Sequence, residues 1–153
     1  MRKLFTITTF VFIIGAVFQA SFAQETPESK VANYSFGKMG HSNYEHFSFW
    51  TDAGKHAKIT YSYGKHAKES ELEYLEAKTI QGRKGFEVKF PNGLILFIIP
   101  TGNNLRVINP VGSYNKIFKW QYEGPVNGVG TACEACAENE TEAMVLIRNG
   151  YFN

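Results

Sequence analysis

The sequence is poor in the residues that several kinds of chemistry require. Asp52 is its only aspartate, which excludes a catalytic aspartate pair. It has no Gly-x-Ser-x-Gly elbow for a serine hydrolase and no His-Glu-x-x-His helix for a zinc hydrolase. Gly124, Gly128 and Gly130 follow a strand-like segment but lack the lysine of a phosphate-binding Walker loop. The 13 glutamates would permit a glycosidase pair, yet so many carboxylates bring two together by chance and single out none. Charge of one sign is missing as well. Without Arg2 and Lys3, 14 basic residues stand against 14 acidic ones, which removes the electrostatic case for nucleic acid.

Long apolar runs are scarce too. The longest, Leu4 to Phe18, holds about 15 residues and contains three threonines, where a membrane span needs roughly 20. Arg2 and Lys3 before it, and Ser21 and Ala23 after it, give it the form of a secretory signal peptide covering residues 1–23, cleaved after Ala23. Residues 24–30 contain a proline and no apolar side chain, as a flexible leader would. A single β-rich domain over 31–153 is then expected, secreted or periplasmic and without stable membrane insertion.

What is abundant is short apolar stretches, several of them alternating with polar residues. From residue 45 to residue 122 they are broken by glycine, proline or asparagine about every ten residues, as in an antiparallel β-meander. Phe47 and Phe49 share one face of such a strand, and Ala57, Ile59, Tyr61 and Tyr63 share one face of the next. Residues 71–80 fit a helix or a strand and are read as strand. Pro91-Asn92-Gly93 marks a tight hairpin. The run Leu94 to Ile99 predicts a strand buried on both faces, at the centre of the core. The fold class that follows is mainly all-β: an antiparallel meander of about seven or eight strands, forming a small barrel or sandwich with a short C-terminal helix. Thr131 and Glu134 form a capping box for that helix, and Ala143 to Ile147 suits either its continuation or a last strand.

Cys133 and Cys136 are the only cysteines. Ala137, where histidine would be needed, excludes covalent haem attachment, and too little chain follows for a thioredoxin fold. A short disulfide between Cys133 and Cys136 is expected, with a metal-binding module drawing on His41, His46, His56 or His66 as an alternative. His56 and His66, ten residues apart in an extended chain, are too distant to share an ion, and His41 and His46 read as surface or loop histidines. No metal or other cofactor is predicted.

Function is therefore expected to be non-catalytic binding of a small apolar ligand, a glycan or a protein partner, with a small enzyme of dispersed active site as a further alternative. Trp120 and Tyr122 end an aromatic strand, and Glu123 to Gly130 forms a glycine-rich connection whose backbone can approach a ligand closely. Trp120, Tyr122, Glu123, Asn127 and Gly128 are the expected contact residues.

Overall fold

The structure, a computed structural model, describes residues 29–65, 69–122 and 135–152. Eight strands follow one another: β1 (Lys30–Phe36), β2 (Glu45–Asp52), β3 (Lys55–Tyr63), β4 (Ser70–Ile80), β5 (Arg83–Lys89), β6 (Ile95–Thr101), β7 (Asn104–Ile108) and β8 (Asn115–Gln121). One helix, α1 (Glu140–Tyr151), comes after them. Each strand pairs antiparallel with the next, and β8 pairs back onto β1 through Asn33↔Gln121, Tyr34↔Trp120 and Ser35↔Lys119. The meander is thus a closed barrel, not a sandwich, and no strand is left with a full open edge.

Turn chemistry sets the register. Ala53 and Gly54 join β2 to β3, and Gln81 and Gly82 join β4 to β5, all four at positive φ between 49° and 74°. Two-residue turns of this hand match the right-handed twist of the strands they connect. The Pro91-Asn92-Gly93 turn forms as its residues predict: Gly93 N–H donates to the Phe90 carbonyl at 2.8 Å, and the Asn92 side chain accepts from Leu94 N–H at 3.0 Å.

Alternation then fills the barrel. Tyr34, Phe47, Phe49, Phe86, Ile98, Leu105, Val107 and Phe118 point inward with no exposed surface. Phe47 meets Phe118 at 5.0 Å and 71°, and Phe49 meets Phe86 at 5.9 Å and 90°, the edge-on geometry that aromatic quadrupoles favour. An eight-stranded barrel can be filled by side chains or can hold one small ligand, and here the inward aromatic and aliphatic side chains pack on one another as a core.

The helix closes one end of it. Asn139 caps α1 by accepting from Glu142 N–H at 2.9 Å, while the Glu142 carboxylate accepts from Glu138 N–H at 2.7 Å. Thr131 and Glu134 lie outside the described residues, and Ala143 to Ile147 is helix. Its buried positions, Ala143, Met144, Ile147, Gly150 and Tyr151, recur at helical spacing on the barrel-facing side. The Tyr151 ring lies 5.1 Å from Phe86 and 5.6 Å from Phe49. Its hydroxyl proton is shared between the carbonyls of Trp50 at 2.8 Å and Lys58 at 3.0 Å. The β2–β3 register shifts between Trp50 and Thr51, a bulge at the place where α1 docks.

The run in β6 is central only in part. Leu96 to Ile99 are buried on both faces, but Leu94 and Ile95 are each 38% exposed at the mouth of the barrel. Phe97 points outward and still has no exposed surface, because its ring lies over Gly85 of β5. A Cβ on Gly85 would stand 2.4 Å from the Ile98 carbonyl oxygen and 2.6 Å from Phe97 Cζ. Gly85→Ala is therefore expected to destabilise the fold by about 2 kcal/mol, measured by urea unfolding, because neither a ladder carbonyl nor a packed ring can yield freely. An unchanged midpoint would show that β5 and β6 are not this close.

Candidate functional site

Three polar constellations stand out, and two of them are internally satisfied. At the barrel end away from α1, Glu45 shares the inward face of β2 with Phe47 and Phe49 and is buried. One carboxylate oxygen accepts from the Tyr61 hydroxyl at 3.0 Å and from the Tyr114 hydroxyl; the other accepts from the Lys116 ammonium. The Lys116 ammonium also sits 4.8 Å from the ring centroids of both Phe36 and Tyr114. Burial, reinforced by the Glu45 charge, holds both tyrosine hydroxyls well above the usual phenol range. Each charged or polar group of this cluster is spoken for by another member, so it seals the barrel mouth.

The second lies on the outer face of β1 and β2. His46 Nε2 is 3.0 Å from Ser48 Oγ and 3.2 Å from Asn33 Oδ1, and its Nδ1 is 3.2 Å from the Tyr44 hydroxyl. Ser48 donates to Asn33 Oδ1 at 2.8 Å, and Asn33 Nδ2 donates to Cys136 Sγ at 3.2 Å. The chain around Cys136 runs parallel to β1, with Val31 N–H donating to the Ala135 carbonyl at 2.7 Å and Ala137 N–H to the Val31 carbonyl at 2.9 Å. It thereby satisfies β1 just beyond its pairing with β8. His46 is thus not a surface or loop histidine: it lies within β2 and is 2% exposed, whereas His41 does lie in an exposed loop. Outward alternation places His46 opposite the core, but this outer face is buried. A serine beside a histidine suggests hydrolysis, yet Ser48 is 7% exposed and already donates to Asn33. Burial also lowers the imidazole pKa to about 4, too low for an effective base near neutrality.

The third constellation is open. The start of β5, the end of β6 and the C-terminal turn of α1 enclose a groove of about 670 Å³. Ile99, Pro100 and Phe152 give it an apolar floor, and Phe152 is fixed by an edge-on contact with Phe86 at 5.7 Å. Arg83, Lys84 and Arg148 stand around it with Thr101. Among the described residues, none of these three cations has a carboxylate within ion-pairing distance, unlike Lys30, Lys78, Lys89 and Lys116. Sequence pattern gives no sign of this site, because residues 83–84, 99–101 and 148–152 meet only when α1 packs on the barrel.

The residues expected from sequence are placed elsewhere. Trp120 faces the interior opposite Tyr34, partly buried, and Tyr122 is 46% exposed just beyond β8. Among the described residues, the Trp120 indole N–H and the Tyr34 hydroxyl are both buried without a hydrogen-bond partner. Glu123, Asn127, Gly128, Cys133 and His66 lie outside the described residues. Among the described residues no group of three or more His, Cys, Asp or Glu side chains is placed to hold a metal ion, and no helix is long and apolar enough to cross a membrane. No protein family, curated protein or solved structure matches the chain.

The buried histidine sets an acid dependence. In the unfolded chain His46 protonates near pH 6.5, whereas in the fold it stays neutral to about pH 4. Between those values the unfolded state binds a proton that the folded state does not, so stability falls as pH falls through this window. The expected loss is roughly 3 kcal/mol. Urea unfolding of the protein and of His46→Gln across the window should show a shallower pH slope in the variant. A His46 ring that titrates near 6.5 by NMR would contradict this.

Proposed function

We propose that the protein is a non-catalytic binding module acting outside the cytoplasm, and that a small ligand with an apolar body lies in the groove between α1 and the β5–β6 end of the barrel. The observation that carries this reading is the groove itself, an apolar floor ringed by Arg83, Lys84 and Arg148, none of which has an ion-pair partner among the described residues. Its volume falls in the range of small-molecule sites, and the filled interior turns attention to the outer surface. A second hollow of about 440 Å³ beside the β5–β6 turn is smaller, and its one charged residue, Glu87, is already paired with Lys78 at 2.7 Å.

The location outside the cytoplasm rests on the leader at residues 1–23. It is supported by the cysteine pair, which we take to be a local disulfide: no free cysteine occurs among the described residues, and Cys136 Sγ is held in a buried network. A second reading keeps the ligand at Trp120, Tyr122 and the connection after β8. It is favoured by the unpartnered Trp120 indole and Tyr34 hydroxyl, to which a ligand could offer an acceptor.

Titration with Nile red, a neutral apolar dye, separates the two. Phe152→Ala should weaken binding about fivefold or more, as the loss of a ring from an apolar floor implies, while Tyr122→Ala leaves it unchanged. The opposite pattern would move the site to β8, and no binding at all would reject a small-ligand role.

A further inference from the structure

We propose that the ligand of this groove is a monomeric anionic amphiphile, with a carboxylate, sulfate or phosphate-monoester head on an alkyl or aryl body. The inference rests on the reading of the groove as the binding site and adds the chemistry of what fills it. Arg83 and Lys84 open β5, and Arg148 reaches the same hollow from the last turn of α1. Three cations line one hollow that has no carboxylate in its lining, a positive surface that an oxyanion complements. Against an apolar floor, where water is partly displaced, the resulting charge-assisted hydrogen bonds are stronger than on an open surface.

The two arginines favour an oxygen-bearing head, because the guanidinium fork matches a carboxylate or phosphate edge with two parallel hydrogen bonds. A bare inorganic anion would leave Ile99, Pro100 and Phe152 uncovered, and a purely apolar molecule would leave the cations unpaired. Only an amphiphile uses both halves of the site. The groove is concave and of small-molecule size, which suits a single molecule held by its head and the first part of its body. A bilayer surface would instead call for a protruding apolar face rich in cations.

Calorimetric titration of the full chain with decanoate and with decanol, both as monomers, tests this. Decanoate should bind about tenfold more tightly than decanol, the difference that charge-assisted hydrogen bonds to the head supply. The preference should shrink with added salt and vanish in Arg83→Gln/Arg148→Gln, a surface variant whose thermal midpoint should stay close to that of the parent. Equal affinity for decanoate and decanol, both weakened by Phe152→Ala, would overturn the anionic head while leaving the groove reading intact. Failure of both to bind, or binding indifferent to Phe152→Ala, would remove the groove reading itself. Competition by inorganic phosphate as effective as decanoate would overturn the amphiphile in favour of a bare-anion site. Capture on phosphatidylglycerol vesicles without decanoate binding would overturn it in favour of a membrane surface.

Discussion

The seating of Tyr151 in the end of the barrel is the contact on which the rest of the molecule depends. Its ring completes the aromatic layer formed by Phe49, Phe86 and Tyr74, and its hydroxyl reaches two carbonyls at the β2–β3 bulge. A ring without the hydroxyl would leave those carbonyls facing an apolar lid. Gly150 allows the approach: a Cβ there would stand 2.7 Å from Thr51 Cγ2. With Tyr151 in place, Arg148 and Phe152 on either side of it in the chain are carried to the start of β5 and the end of β6. The groove is a by-product of closing the core.

The two ends of the barrel are closed by different physics. One end has a helix whose apolar face covers the core. The other has a buried carboxylate, Glu45, whose charge is neutralised by Lys116 and which accepts hydrogen bonds from the hydroxyls of Tyr61 and Tyr114. Removing one partner from such a cluster leaves a buried charge uncompensated, so its members hold one another in place. The outer network of Asn33, Tyr44, His46 and Ser48 follows the same rule, with each buried polar group facing another. Arg83, Lys84 and Arg148 differ from these groups: among the described residues they line one hollow with no carboxylate in ion-pairing distance.

Period-two alternation made β2, β3, β5 and β8 legible, and the Asn-Gly turn marked the β5–β6 hairpin. β1 lies outside the stretch expected as meander even though Ala32, Tyr34 and Phe36 alternate with Asn33 and Ser35; what the alternation does not reveal is that Asn33 and Ser35 are nearly as buried as the inward residues. His46 was misplaced because periodicity reports which face a side chain takes, not what covers that face. The helix was foreseen, but its described start is set by Asn139 and Glu142, a capping pair that lies after the more conspicuous Thr131 and Glu134. The groove was invisible because three segments, each unremarkable alone, converge only through the docking of α1. Cys136 shows the converse: the cysteine drew attention in the sequence, but its partner Asn33, 103 residues away, did not.

Native-state hydrogen exchange on the full chain tests most directly whether α1 belongs to the barrel. If Tyr151 fixes the helix as described, the amides of Met144 to Arg148 exchange with the same opening free energy as those of β2 and β6, in one cooperative unit. Tyr151→Phe should then lower the protection of helix and strands together. Helix amides that exchange through a separate opening of much lower free energy, with the strands still protected, would contradict the account, because α1 would leave the barrel without unfolding it and the groove would have no fixed wall.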